Sequence, residues 1–459
     1  MNFGENADTI CALSTANGMG AIAVIRVSGP KALEITSGVF SKDLTGKTSH
    51  TAHFGYIKSA DGQLIDEVLV TVLQKGKSFT GEATAEIACH GSVYIQQQIL
   101  QLLLENGCRM ADPGEFTMRA YMNGKMDLVQ AEAIADLIAS RSSMAHSLAM
   151  KQMRGGFSRE LQQLREQLIQ FASLIELELD FSEEDVEFAD RTQLNNLVRE
   201  IISVVARLKE SFSTGNAIKN GIPVAIVGAP NVGKSTLLNV LLNEERAIVS
   251  DIAGTTRDVI EDEIVLDGIS YRFIDTAGLR ETEDVVESMG IERSYKKAKE
   301  ALIVLYLLDE RNTNAEATLN ELTDFRSNYL NEGQQLIVIV NKRDLLSEAF
   351  DFLAEYSPVF ISAKERSNLE ELLGRLRESV TISGVGEEDV IVTNSRHFDA
   401  LQKAHSDLLK VLEGLENGIT GDFVAMDIRQ AIHHLGSITG EISTDDLLGS
   451  IFSKFCIGK

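Results

Sequence analysis

The chain has 459 residues, 44% hydrophobic and 24% charged, with 68 acidic against 43 basic side chains and a formal net charge of -25. That size exceeds one hydrophobic core and fits about three domains of ~150 residues each. The composition is that of a soluble globular protein. The acidity argues against a surface that grips nucleic acid by bulk electrostatics, since phosphate neutralisation supplies most non-specific affinity.

Residues 1–120 read as a mixed α/β domain. A strand over 21–27 turns at Ser28-Gly29-Pro30 into a helix around 32–40, and further strands are expected over 67–73 and 85–89. The helix 93–105 carries Val93, Gln97, Leu100 and Leu104 along one side. Arg26 lies inside the first apolar strand, and Glu86 stands beside Ile87 and Cys89 in the third. Both point outward, or, if buried, they need a partner or a ligand to keep their charge. Residues 112–117 look like a loop with a helix start.

Residues 121–215 turn helical. Leu161, Leu164, Leu168, Ala172, Ile175 and Leu179 keep the i, i+3, i+4 rhythm, and Gly155-Gly156 breaks the helix before them. The acidic stretch 181–190 reads as a solvated connection, because its carboxylates lack the order of a calcium loop. Residues 216–381 alternate strand and helix, as in an α/β sheet covered on both faces. Asp267-Gly268 joins two short strands as a hairpin, and three further strands are expected over 301–308, 335–340 and 358–361. Residues 382–459 are helical again, so one helical domain is expected from two chain segments with the α/β unit inserted between them.

The chemistry concentrates in the insert. Gly228-Ala229-Pro230-Asn231-Val232-Gly233-Lys234-Ser235 fits G-x-x-x-x-G-K-[ST], with an apolar strand before it and a helix from Ser235 and Thr236 behind. Such a loop aims backbone N–H groups and the positive end of a helix at one anion, and Lys234 adds charge for the outer phosphates. Asn341-Lys342-Arg343-Asp344 ends a later strand. A carboxylate at Asp344 accepts both donors on the guanine N1/N2 edge, which adenine lacks. Ser362-Ala363-Lys364 would bring backbone N–H groups near guanine O6. In Asp275-Thr276-Ala277-Gly278, Asp275 can hold the magnesium shell and the Gly278 N–H can sense the γ-phosphate. Ser235 and a threonine of Gly254-Thr255-Thr256 would give magnesium its direct oxygens. In this order the motifs specify a GTPase. The residue after D-x-x-G is Leu279, which cannot orient water, so Glu281, Glu283, Asp284 and Glu287 are all open for that role.

The chain resembles the bacterial MnmE/TrmE family of tRNA-modification GTPases over its whole length. The resemblance rests on Phe79-Thr80-Gly81-Glu82, Pro113-Gly114-Glu115-Phe116, the run from Gln130 to Asp136, the run from Asp275 to Arg280, and the terminal Cys456-Ile457-Gly458-Lys459. It implies an N-terminal α/β folate-binding and dimerisation domain (1–120), a two-part helical domain (121–215 and 382–459) and an inserted Ras-like GTPase domain (216–381). It also implies a homodimer that works with the flavoprotein MnmG/GidA, as a heterotetramer, on the wobble uridine of certain tRNAs. There it adds an aminomethyl-type group at C5 from 5-formyl-tetrahydrofolate or a related reduced folate.

The same resemblance implies a potassium ion bound by Asn231, Ser250, Ile252 and Thr255 within the GTP-contacting loop Ser250-Asp251-Ile252-Ala253-Gly254-Thr255-Thr256, with Thr256 on magnesium. It gives the water-orienting role to Glu287 and carries folate contacts onto Arg26, Glu86, Lys125 and Lys459. It makes Cys456 a candidate for the modification chemistry; a free tail thiol is the alternative. Prenylation is not expected, because the chain ends in Lys459 and no polybasic segment precedes it. The four cysteines have no metal-like spacing, no apolar run reaches the ~18 residues of a membrane span, and a cytoplasmic protein is expected. The rival reading is a ribosome-assembly GTPase of the Era or EngA type, which shares the GTPase motifs without modification chemistry.

Overall fold

The computed structural model describes residues 8–59, 61–180, 191–244, 262–274, 295, 297–309, 315–331, 333–343, 351–379 and 390–458. The chain divides into two compact units, one of Met1–Ile138, Lys151–Ile201 and Lys403–Lys459, the other of Ala139–Met150 and Ile202–Gln402.

In the first unit, β1 (Thr9–Leu13), β2 (Ile22–Ser28), β3 (Thr51–Lys58), β4 (Leu64–Leu73), β5 (Thr84–His90) and β6 (Cys108–Met110) form one sheet in the order β3-β4-β5-β2-β1-β6. All its pairs are antiparallel except β1 with β6. Cys11, Ile25, Val27, Val70 and Ile87 bury one face in a core that also takes Leu33 and Ile35 of α1 (Ala32–Val39) and Ile99 and Leu103 of α2 (Val93–Glu105). Each such fully buried aliphatic side chain contributes about 1.5–3 kcal/mol. On α2, Gln96, Ile99, Leu102 and Leu103 are buried and Leu100 and Leu104 pack partly against the same core, while Val93 at the helix start is exposed. Gln96 can be buried because its amide donates to the carbonyls of Gly18 and Gly91 at 3.0 and 3.2 Å.

The opposite face is covered only in part. Near β1, Ile10 and Ala12 pack with Phe79, Ala111 and Phe116, the last from α3 (Glu115–Met122). Near β3 and β4 it is open, with Phe54 opposite Leu69 and both exposed.

The helices that follow are α4 (Leu128–Ala139), α5 (Ser143–Met153), α6 (Gly156–Asp180), α7 (Arg191–Glu210) and α8 (Phe212–Asn220). Gly155 takes φ +75, a conformation that ends α5 cleanly, as its sequence position suggests. The anticipated stripe appears on α6, where Leu161, Leu164, Leu168, Ala172 and Ile175 are buried.

The second unit holds β7 (Ile222–Gly228), α9 (Lys234–Glu244), β8 (Asp262–Leu266), β9 (Ile269–Phe273), β10 (Ile303–Asp309), α10 (Ala315–Tyr329), β11 (Gln335–Asn341), β12 (Val359–Phe360) and α11 (Leu369–Ser379). Its sheet runs β12-β11-β10-β7-β9-β8, parallel except for the β8–β9 hairpin. The turn of that hairpin has φ +49 at Asp267 and +81 at Gly268, the positive pair a two-residue connection needs. Two buried clusters cover the two faces. The chain closes with α12 (Ser395–Glu416), α13 (Gly421–Thr439) and α14 (Asp445–Phe452), and α13 returns to pack against α6. The architecture is thus the expected one: a mixed α/β N-terminal domain, a helical region drawn from two chain segments, and a phosphate-loop α/β domain between them. The acidic stretch 181–190 lies outside the described residues.

Candidate functional site

Two clusters carry the candidate residues, one in each unit. In the second unit the parallel strands end together, where an open α/β sheet binds its ligand. The phosphate loop leaves β7 with positive φ at Gly228 (+141), Asn231 (+62) and Gly233 (+103). No side chain fits at Gly228, where a methyl would meet the Leu307 carbonyl oxygen at 2.3 Å. Lys234 Nζ donates to the carbonyls of Gly228 and Ala229 at 2.8 and 2.9 Å, which holds its ammonium over the loop. Ser235 and Thr236 stand in the first turn of α9.

Asn341 joins this loop to the others. Buried at the end of β11, it donates from Nδ2 to the Val232 carbonyl at 2.7 Å and accepts at Oδ1 from the Ala363 N–H at 3.0 Å. Lys342 reaches the Asn231 carbonyl at 2.9 Å and pairs with Asp309. The loop after β12 is closed by reciprocal backbone bonds between Ser362 and Ser367, with Lys364 inside the turn. Asn231, Val232, Asn341, Lys342, Ser362 and Ala363, chosen from separate motifs, therefore form one hydrogen-bonded surface. Gly233 belongs to it as well, since a methyl there would strike Asn341 Nδ2 at 2.2 Å. Ser250, Asp251, Ile252, Ala253, Gly254, Thr255, Thr256, Asp275, Thr276, Ala277, Gly278, Glu287 and Asp344 lie outside the described residues, as does Lys459.

In the first unit, Arg26 on β2 faces Glu86 on β5 in the ladder, and its Nε and Nη2 reach Glu86 Oε1 at 3.0 and 2.9 Å. The guanidinium lies 5.5 Å from the ring centres of both Phe79 and Phe116. Neither charged side chain is fully covered, at 19% and 30% exposure. They sit where the covered part of the sheet face meets the open part. A cation and a carboxylate flanked by rings suit a planar ligand that carries both donors and acceptors. Lys125 meets the neighbouring 76–82 loop, its Nζ donating to the Gly76 carbonyl at 3.0 Å.

The sequence reading passed over what holds this cradle. Arg119, fully buried, is paired with Glu115 (2.8 Å), Asp8 (2.7 Å) and Glu82 (3.2 Å), and Arg109 grips Glu115 from the other side at 2.6 Å. Burial pushes the Glu115 carboxyl up, but the Arg109 fork, the Asp112 N–H and Arg119 outweigh it and hold the group below the usual carboxylate range. Glu82 also accepts from Ser28 at 2.8 Å, and Ser28 bonds Thr80 at 2.7 Å. Phe79-Thr80-Gly81-Glu82, a loop, and Pro113-Gly114-Glu115-Phe116, the start of α3, are thus the two segments that seat rings beside Arg26. The signal available in sequence was an acid next to a glycine and an aromatic in each motif.

Cys11, Cys89 and Cys108 are buried, and burial with the nearby Asp66 carboxylate pushes the Cys89 thiol up to about 11. Cys456 is exposed. Among the described residues no group of His, Cys, Asp and Glu could hold a metal ion, and no helix is long and apolar enough to cross a membrane.

Comparison with known proteins is consistent along the chain. A family model described as the MnmE helical domain matches residues 128–456, and one described as the GTP-binding protein TrmE N-terminus matches residues 9–125. The chain is 54% identical to the tRNA modification GTPase MnmE of Flavobacterium johnsoniae, over 99% of this chain and 100% of that one. It is 53% identical to the protein of that name from Cytophaga hutchinsonii, over 99% and 98%. For the one from Bacteroides fragilis the figure is 54%, over 99% and 100%.

Proposed function

The chain belongs to the MnmE family of tRNA-modification GTPases, and from that premise we propose that it spends GTP in a potassium-dependent cycle coupled to one-carbon chemistry on tRNA. The reaction is addition of an aminomethyl-type group at C5 of the wobble uridine of certain tRNAs. 5-Formyl-tetrahydrofolate or a related reduced folate supplies the carbon and an ammonium-type amine the nitrogen. The partner in a cytoplasmic complex is the flavoprotein MnmG/GidA, whose reduced flavin supplies the two electrons by which a formyl carbon becomes a methylene. The ribosome-assembly reading is set aside, because identity to modification GTPases runs through the N-terminal and helical regions as well as the nucleotide domain.

The observation that carries the donor assignment is the Arg26–Glu86 pair between Phe79 and Phe116. When bound, the folate would supply the one-carbon unit. Arg26 would donate to it, Glu86 would accept from it, and the two rings would exclude water from one side. Lys125 and Lys459 complete the proposed contacts.

In the nucleotide domain the loop geometry supports phosphate binding, with Lys234 as the charge, and Ser235 and Thr256 are proposed as the magnesium oxygens. Asp344 is proposed to read guanine. Asn231, Ser250, Ile252 and Thr255 are proposed to hold potassium, which would offset charge as an arginine finger does elsewhere. Glu287 takes the water-orienting role that Leu279 cannot fill. Homodimerisation is proposed through the N-terminal domain, where Phe54, Tyr56 and Leu69 leave apolar side chains exposed on the uncovered part of the sheet. The acidity of the chain fits tRNA binding if the flavoprotein supplies much of the basic surface.

Reconstitution tests the proposal. The chain, the flavoprotein with a reductant for its flavin, GTP, reduced formyl-folate, an ammonium salt and unmodified tRNA in potassium buffer should yield the C5-substituted uridine. Product that forms equally well without folate would refute the donor assignment.

A further inference from the structure

The turn of the β8–β9 hairpin caps a helix from a distant part of the chain. The first N–H groups of a helix have no acceptor within it and must be matched from outside. At the start of α5, Ser142 Oγ accepts from the Ala145 N–H at 3.2 Å, as an N-cap does. The Met144 N–H donates across to the Gly268 carbonyl at 3.2 Å.

The fit is close. A methyl at Gly268 would come within 2.0 Å of Ser143 Oγ and 3.3 Å of Ser143 Cβ, so the turn lies directly on the first residue of α5. Beside it, Arg141 pairs with Glu263 of β8 at 3.2 Å. From its own side the hairpin is held by α11: Arg377 pairs with Asp267 at 2.7 Å, and the Tyr271 hydroxyl donates to the Leu376 carbonyl at 3.1 Å. The Gly268 carbonyl is thus presented to α5 in a fixed place.

The chain positions of the two partners give the contact its meaning. β8 begins six residues after Thr256, and β9 ends two residues before Asp275. The hairpin is therefore the stretch between the two motifs proposed to meet magnesium and the γ-phosphate. Residues Ala139–Met150 pack in the second unit, whereas the chain up to Ile138 and from Lys151 belongs to the first. At the far end of α5, the Met153 carbonyl accepts from Gln130 Nε2 of α4 at 3.0 Å. One helix thus starts on the hairpin of the nucleotide domain and ends on α4.

We propose that the Gly268 carbonyl is a nucleotide-controlled cap on α5, made in one nucleotide state and broken in the other. GTP turnover reaches the modification chemistry through this contact. The inference rests on the reading that GTP hydrolysis serves tRNA modification.

Hydrogen exchange at the Met144 amide tests the switch in the wild-type chain. The rate should differ about tenfold between the complex with GDP and that with a non-hydrolysable GTP analogue, the scale of one capping contact. Equal rates in the two complexes would overturn the switch.

Two substitutions test the coupling. Gly268→Asn uses a residue that accepts positive φ and places its side chain against Ser143. Met144→Pro deletes the donor in the first helical turn, where proline is tolerated, and leaves the hairpin unchanged. In both variants tRNA modification should fall about tenfold, while GTP hydrolysis stays within about twofold of wild type. If Gly268→Asn also loses hydrolysis through a disturbed hairpin, Met144→Pro decides. Full modification by Met144→Pro would overturn the coupling role. If the wild-type chain modifies no tRNA, it is the underlying reading that fails, and the exchange comparison still decides whether the cap responds to the nucleotide.

Discussion

Arg26 and Glu86 meet directly across β2 and β5, with the guanidinium held at 5.5 Å from two aromatic rings. Two charges in neighbouring strands would be an ordinary surface pair if both were fully solvated. Here they border the covered part of the sheet face, where an ion pair also presents donors and acceptors to a ligand. A charge-assisted hydrogen bond contributes about 1.5–3 kcal/mol, so Arg26→Ala should weaken binding of a reduced formyl-folate roughly ten- to a hundredfold. Titration calorimetry reads this directly, and unchanged affinity removes Arg26 from the site.

Glu115 makes the N-terminal domain sensitive to acid. Its carboxyl is held below the usual range in the folded chain, and that of Asp8 is too, where burial is outweighed by Arg109 and Arg119. A depressed carboxylate contributes stability that is fully present above its unfolded pKa of about 4.3 for Glu and is lost as pH falls through the folded value. Thermal melts should therefore show the domain losing stability below about pH 4. Glu115→Gln should flatten that slope and cost about 3–5 kcal/mol at neutral pH, as expected when one partner of a buried pair is removed.

Asn341 is predicted to matter through the two loops it joins. Asn341→Ala removes its bonds to the Val232 carbonyl and the Ala363 N–H. Leaving such buried groups unmatched costs about 1–3 kcal/mol, so GTP affinity should fall roughly five- to a hundredfold. Equilibrium binding of a fluorescent guanine nucleotide measures it. Wild-type affinity would mean the loops hold their places without this side chain.

The cation requirement and the water-orienting acid are tested together by steady-state hydrolysis. Replacing potassium with sodium should collapse GTP turnover, and Glu287→Ala should keep GTP affinity while losing most of kcat. Equal rates in both salts would end the potassium assignment. Near-normal kcat in the variant would return the role to Glu281, Glu283 or Asp284.

The nucleotide domain was legible in sequence because its chemistry lies in short contiguous runs at strand ends, and the three of those runs that begin among the described residues, at Gly228, Asn341 and Ser362, do meet at Asn341. The N-terminal domain was less so. β3 escaped notice because its exposed side carries Phe54 and Tyr56, which hides the usual alternation of apolar-in and polar-out. The burial of Gln96 on α2 was not legible either, because a glutamine faces inward there only by donating to the backbone carbonyls of Gly18 and Gly91. The Arg119 network was invisible for a simpler reason: Asp8, Glu82 and Glu115 are far apart in the chain, and no local pattern announces a fully buried arginine. Arg26 and Glu86 were recognisable as odd residues in apolar strands, but only the β2–β5 register shows that they face each other.

The central claim, a GTPase whose cycle serves C5 modification of wobble uridine, is tested most directly by nucleoside analysis of tRNA from cells that lack this protein. The account predicts that a C5-aminomethyl-type uridine disappears, returns with the wild-type chain, and fails to return with Arg26→Ala. A full complement of that nucleoside in the cells without the protein would contradict it.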